Sequence, residues 1–243
     1  MEPVQLASEV RPLEETLGPL PEPRLNPPLI VVSGLPGTGK SYFSARLAER
    51  LGFPVVESDR LRPVLFPHPN HHPEESARLF QAIHRLIEAL LRRGIPLILD
   101  ATNLSERHRE HLYRIADRQE ARLILVRLEA PPEVVFQRLA ARKTGADWSV
   151  YLRMKPTADK IRRRHYAVDP PGTSPRSCIK SSERRTGNRL SPGKGAIWRL
   201  RSRRVISPGL RPGRPWWASL RGPPARRVSW RSSTGPWRGS SAG

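Results

Sequence analysis

Residues Gly34 to Ser41 read Gly-Leu-Pro-Gly-Thr-Gly-Lys-Ser, and this stretch decides the fold. It satisfies the phosphate-binding loop pattern at every position. A short apolar run, Leu29-Ile30-Val31-Val32, precedes it, and a helix-like stretch from Tyr42 to Leu51 follows. Strand, glycine-rich turn and helix in that order aim backbone N–H groups and a helix N-terminus at one point, where a phosphate chain can rest. The cradle is expected to comprise Gly34, Leu35, Pro36, Gly37, Thr38, Gly39, Lys40, Ser41 and Tyr42. In such a loop Lys40 reaches the β- and γ-phosphates and the Ser41 hydroxyl is offered to Mg²⁺. The sequence therefore predicts a nucleoside triphosphate as ligand, ATP with Mg²⁺.

Around this loop the chain alternates strand and helix signals, the mark of a parallel sheet covered on both faces. Strands are expected at Leu29–Ser33, Pro54–Glu57, Ile95–Asp100, Arg122–Leu128 and near Tyr166–Val168. The clearest helix is Glu74–Arg93, where Leu79, Phe80, Ile83, Leu86, Ile87, Leu90 and Leu91 recur at the helical period before Gly94 stops it. A second helix should start after Asn103 or Ser105 and run to about Gln119. A third should start at Pro131-Pro132 and bury Val134, Val135 and Leu139.

Strand ends carry the chemistry in such folds. Asp59 follows the second strand in Glu57-Ser58-Asp59-Arg60-Leu61-Arg62 and can accept the proton of an attacking hydroxyl. Arg62, one turn onward, can hold the acceptor or a phosphate on it; a helix-capping aspartate beside a surface arginine is the plainer reading. Asp100 closes an apolar strand, a position suited to orienting Mg²⁺ through its water shell. Thr102 and Asn103, next in line, either hydrogen-bond within the crevice or cap the following helix.

Gly-Leu-Pro-Gly-Thr-Gly-Lys-Ser, then Ser58-Asp59-Arg60-Leu61-Arg62, then Leu99-Asp100-Ala101-Thr102-Asn103-Leu104, resembles the small P-loop kinases of the polynucleotide-kinase and zeta-toxin type, whose bacterial relatives include AAA-type ATP-binding, kinase-like proteins. The likeness spans about residues 29–169 and continues through Val126-Arg127-Leu128-Glu129-Ala130-Pro131, Arg138-Leu139 and Asp147-Trp148. It implies a five-stranded parallel sheet in the order 2-3-1-4-5 with helices on both faces. It also implies transfer of the γ-phosphate of ATP to a hydroxyl, with Asp59 as general base, Arg62 supporting the acceptor and Asp100 near the metal. The lid cations it implies are Arg138, Arg142 and Lys143. The acceptor is left open among a polynucleotide 5′-hydroxyl, a sugar nucleotide and another small metabolite. An ATP-hydrolysing switch without acceptor is the alternative class.

The rest of the chain differs in character. Residues 1–28 are proline-rich and are expected to form a mobile or loosely docked leader, with a partner-binding arm as the alternative. Of the 243 residues' net charge of +21, +16 falls on residues 170–243, which hold 17 Lys and Arg against one acidic residue. That segment also carries five of the six tryptophans without a pattern to bury them, so it is expected to be a disordered, basic, low-complexity tail. Arginine and tryptophan together would also suit nucleic acid, giving a third functional reading. A different origin fits the text as well. Regrouping the codons for Pro170 to Arg184 from the third base of the Asp169 codon permits Ser-Ser-Arg-Asp-Ile-Ser-Pro-Val-Leu-His-Lys-Ile-Val-Arg-Glu. Its large apolar residues fall at offsets 5, 8, 9, 12 and 13, a helix that could cover a sheet. The tail is thus a candidate frame-shifted translation, settled by sequencing the gene.

His68, His71 and His72 form a tempting metal cluster, but the surrounding prolines and absence of cysteine favour a mobile acceptor-side loop. The single cysteine, Cys178, excludes an internal disulfide framework. With no apolar run long enough to span a bilayer and no signal-peptide pattern at the N-terminus, a soluble cytoplasmic protein that does not engage membranes is expected.

Overall fold

A computed structural model describes residues 3–142, 146–169 and 199–200. Its centre is a sheet whose parallel strands are β1 (Pro28–Ser33), β2 (Val55–Glu57), β3 (Leu97–Asp100), β4 (Arg122–Leu128) and β5 (His165–Asp169). They lie in the order β2-β3-β1-β4-β5, as the resemblance implied. A short strand from the basic segment, β6 (Arg199–Leu200), pairs antiparallel with β5 and extends the edge, which the sequence reading did not foresee.

Strand alternation sorts the core into two faces. Leu29 and Val31 of β1 look toward one face, Ile30 and Val32 toward the other. The first face is covered by α3 (Ser58–Leu65), α4 (Pro73–Arg92) and α5 (Glu106–Arg118). Helix α4 buries Leu79, Ile83, Leu86, Ile87, Leu90 and Leu91, a continuous apolar stripe, and is the strongest anchor of that face. The second face receives α2 (Lys40–Leu51) through Phe43, Leu47 and Leu51. A smaller cluster joins α6 (Pro132–Ala140) to α7 (Trp148–Met154) through Val135, Leu139 and Tyr151. Among the described residues no helix is long and apolar enough to cross a membrane.

The N-terminal leader corrects the expectation of a loosely attached segment. Pro3–Glu15 form a helix, α1, that packs against α3 and α4. Leu13 is fully buried there, Glu9 pairs with Arg78 of α4, and Glu14 pairs with Arg93 at 2.6 Å. Pro3 opens the helix, where a missing N–H costs nothing, whereas Pro12 lies inside it and lacks the N–H that would donate one turn back, so the buried Leu13 and the two ion pairs have to offset that cost. Residues 170–198 and 201–243 lie outside the described residues, and so does the reading of them as a disordered or frame-shifted tail.

Between α4 and α5 the rings of His84 and His111 stack with centroids 4.7 Å apart, and His108 stacks with Phe80 at 6.4 Å. Burial, with His111 and His108 nearby, pushes the His84 pKa down to about 4; Arg114 and Arg118 add positive charge around His111, and Glu88 opposes it. A histidine held neutral in the fold but ordinary when unfolded contributes stability above about pH 6.5, lost as pH falls toward 4. The loss expected from His84 is on the order of 3 kcal/mol. Thermal unfolding followed between pH 7.5 and 4 should therefore show a falling midpoint that His84→Phe flattens; identical profiles would contradict the assignment.

Candidate active site

The loop between β1 and α2 is shaped by contacts on both sides. Below it, the ends of β1 and β3 are stitched together. Ser33 Oγ donates to the carbonyls of Thr102 and Asn103 at 3.2 and 3.0 Å, and the Gly34 N–H donates to Thr102 at 3.1 Å. Asn103, buried, returns its side-chain amide to the Val32 carbonyl at 3.0 Å. The two roles open for Thr102 and Asn103 are thereby resolved: they tie the loop to β3, while Ser105 holds the N-cap position of α5. Within the loop the Thr38 hydroxyl donates to the Leu35 carbonyl at 2.7 Å.

Above it, α6 presses directly on the loop. Gly37 has φ 79°, and a Cβ built there would sit 2.8 Å from Val135 Cγ1 and 3.0 Å from Leu139 Cγ. A Cβ on Gly34 would lie 2.7 Å from the Leu128 carbonyl oxygen. Both glycines are thus required by space, and Gly37 by backbone conformation as well. Arg138 of α6 reaches the Gly37 and Thr38 carbonyls at 3.4 Å.

The charged groups converge on Lys40. Its ammonium donates to the Leu35 carbonyl at 3.2 Å. Burial pulls its pKa below the usual lysine value, Asp100 and Asp59 pull it back up, Arg142 lowers it and Glu57 raises it. Asp100 is buried, and burial raises its pKa; Lys40 and a hydrogen bond from Ser41 oppose the rise, while Glu57 and Asp59 add to it. Three sequence-predicted residues, Lys40, Asp59 and Asp100, thus share one electrostatic neighbourhood with Ser41 and Arg142. Arg142 is exposed one turn beyond Arg138, and Lys143 lies outside the described residues. Tyr42, exposed at the start of α2, faces Arg46, whose guanidinium carbon lies 5.5 Å from the ring centroid.

Arg62 behaves differently from the expectation of an acceptor-holding cation. It is buried, paired with Glu75 of α4, and shares the Ser76 hydroxyl at 3.4 Å. Glu75 also accepts the backbone N–H groups of Asn70 and His71 at 2.7 and 3.3 Å. Arg62 therefore anchors the loop that carries His68, His71 and His72, all exposed. Glu75 reads in the sequence as an ordinary first-turn acid, so its part was missed. Glu57 was missed too: it pairs in register with Asp100 across β2 and β3, a contact visible only once the strand order is known.

Cation binding can be tested against this arrangement. Asp100 Oδ2 is buried without a hydrogen-bond partner, beside a serine hydroxyl and with its pKa raised by burial. A carboxylate oxygen left bare in this way, with a neighbouring hydroxyl, fits Mg²⁺, which keeps several waters and takes few protein ligands. No group of three or more His, Cys, Asp or Glu among the described residues is arranged to hold a metal alone.

A strand–glycine-rich loop–helix unit on a 2-3-1-4-5 parallel sheet defines the P-loop NTPase fold. Residues 29–171 match the family described as AAA domain, and the chain belongs to it. Solved structures are similar at low identity. A gluconokinase from Sinorhizobium meliloti 1021 shares 26% identity over 60% of this chain and 84% of that one, with TM-score 0.46. The Mycobacterium tuberculosis APS kinase CysC shares 16% over 66% and 96%, with TM-score 0.45. A chain of the Pnkp1/Rnl/Hen1 RNA repair complex shares 25% over 57% and 41%, with TM-score 0.43.

Replacing Gly37 by Ala should displace the loop from α6. ATP affinity, read by calorimetric titration, is expected to fall at least about tenfold, with a stability loss of about 1–3 kcal/mol. Unchanged affinity would mean the loop's curvature is not what holds the phosphates.

Proposed function

We propose that this protein is an ATP- and Mg²⁺-dependent kinase that transfers the γ-phosphate to a hydroxyl on an acceptor molecule. The observation that carries the reading is the gathering of Asp59 and Asp100 around the Lys40 ammonium at the mouth of the phosphate loop. A loop that only held nucleotide would need the lysine and the metal-side carboxylate. The second, exposed carboxylate, in the first turn of α3, is suited to activating an alcohol.

The step conserves atoms and charge. The acceptor hydroxyl passes its proton to Asp59 as its oxygen forms a bond to the γ-phosphorus. The bond from that phosphorus to the β–γ bridging oxygen breaks, and its electron pair leaves on ADP. Lys40 neutralises charge on the β- and γ-phosphates, and Arg138 of α6, with Arg142 just beyond that helix, steadies the leaving group. Ser41 and Asp100 are the residues that would hold Mg²⁺, which would supply further neutralisation of the phosphate charge. The catalytic unit is taken to be residues 29–169, with α1 as its brace. Arg62 acts through Glu75 on the shape of the acceptor-side loop.

A switch that hydrolyses ATP without an acceptor draws support from one fact: Arg62, the expected acceptor contact, is already occupied by Glu75. A radiolabelled ATP screen against oligonucleotides and a metabolite panel separates the two. Asp59→Asn should lower kcat of transfer by about 10²–10⁴ while leaving ATP affinity nearly unchanged. Lys40→Ala should cost about a thousandfold or more, and Arg142→Ala less. Consumption of ATP with no labelled acceptor, unaffected by Asp59→Asn, would favour the switch.

A further inference from the structure

Helix α5 carries Arg107, Arg109, Arg114 and Arg118, and all but one of them are exposed. Arg109 is 1% exposed. Taking a guanidinium out of water is costly unless its charge and all five of its N–H donors are met. Here they are. Nε donates to Glu106 Oε2 at 2.7 Å, Nη1 to the carbonyls of Asn103 and Leu104 at 2.5 and 2.7 Å, and Nη2 to those of Asp159 and Lys160 at 3.1 and 3.2 Å. These acceptors belong to two separate segments: the turn from β3 into α5, and the chain that returns to β5.

The first segment braces the start of the phosphate loop. The Asn103 carbonyl that receives Arg109 also receives Ser33 Oγ at 3.0 Å, and the Asn103 amide holds the Val32 carbonyl. Asn103 does this at φ 46°, a left-handed backbone that its neighbours have to hold in place. The second segment, residues 158–162, leaves α7 through the short turn Lys155–Thr157. It is fastened from the α5 side as well. The Glu106 N–H donates to Asp159 Oδ2 at 2.8 Å, Glu106 Oε1 accepts the Arg162 N–H at 3.3 Å, and the Asp159 N–H donates to the Leu104 carbonyl at 3.0 Å. Helix α7 in turn packs Tyr151 on Val135 and Leu139 of α6, the residues that close over Gly37. Helices α6 and α7 therefore meet the phosphate loop twice, by packing at Gly37 and through Arg109 near Ser33.

We propose that Arg109 is a positioning residue for phosphoryl transfer. It fixes the segment that follows α7 to the strand end that opens the phosphate loop, so that α6, with Arg138, keeps one alignment over a bound triphosphate. The inference rests on the kinase reading above and adds to it a residue that spends its donors on protein and acts through them. Lysine cannot take its place, because donors on a single nitrogen cannot reach acceptors on two segments as a planar fork does. Removing the fork leaves Ser33 and Gly34 bonded to Asn103 and Thr102, and leaves the Lys40 bond to Leu35 untouched. Nucleotide grip should therefore survive while the alignment of α6 over the loop is lost. An error of about 1 Å in such alignment can cost about 10²-fold in rate.

The test uses the full chain with ATP and Mg²⁺. It reads ATP affinity by calorimetry, turnover of labelled ATP by transfer or phosphate release, and amide hydrogen exchange of residues 158–162 with and without nucleotide. In the wild type, ATP should slow exchange across 158–162 by at least about tenfold. In Arg109→Lys that protection should vanish and kcat should fall about 10²-fold, with ATP affinity within about threefold of wild type. Asp159→Ala changes an exposed side chain and leaves the buried guanidinium paired with Glu106, so it decides the matter if Arg109→Lys does not fold. It should lower both kcat and the protection by about threefold to tenfold. The assignment is overturned by a wild-type 158–162 segment that does not respond to ATP, or by Arg109→Lys keeping kcat or losing affinity and kcat in equal measure. Where that variant does not fold, Asp159→Ala indistinguishable from wild type overturns it. ATP binding with no turnover of any kind in the wild type contradicts the kinase reading, and the exchange response then decides this inference alone. Absence of ATP binding overturns both.

Discussion

One ammonium group, that of Lys40, sets the terms for the rest of the site. Burial destabilises its charge, and the carboxylates of Asp100 and Asp59 restore it. The same buried surroundings lift the pKa of Asp100, and Lys40 and the Ser41 hydroxyl oppose that rise. Each of these groups is costly alone and tolerable together. A polyanion with its divalent cation would complete the balance, because it brings negative charge to Lys40 and positive charge to Asp100.

That balance depends on backbone placement, which packing enforces from two directions. The Ser33–Asn103–Val32 hydrogen bonds fix the end of β1 against β3, so Lys40 and Asp100 keep their spacing. Val135 and Leu139 of α6 close over Gly37 and leave no room for a side chain. The helix that carries Arg138 is therefore also the helix that holds the loop's curve. Movement of α6 would change the loop's shape and the position of Arg138 together.

Much of this was legible in the sequence because the signals are local. The phosphate loop is a contiguous string, and α4 announces itself by an apolar stripe of twenty residues with a stop at Gly94. The helices at Glu106–Arg118 and Pro132–Ala140 began where Ser105 and Pro131-Pro132 said they should. Strand order came through the resemblance rather than through pattern, since periodicity contains no information about which strands are neighbours. What was missed depends on distance in sequence. Glu57 matters because β2 lies beside β3, and Glu75 matters because α4 turns its first residues toward Arg62. The leader was misjudged for another reason: its prolines looked like interruptions, while the partners that hold it, Arg78 and Arg93, lie far along the chain. Arg109 reads as one more surface cation in a charged helix, yet it is the largest of the fully buried side chains among the described residues.

The account stands or falls on whether this loop grips a nucleotide through its lysine and a metal. Titration of the folded chain with ATP, with Mg²⁺ and then with a chelator, is the most direct measurement. The expected result is saturable binding of about one nucleotide per chain, weakened at least about tenfold by chelation and by Lys40→Ala alike. Folded protein with no magnesium-dependent affinity for any nucleoside triphosphate would contradict it.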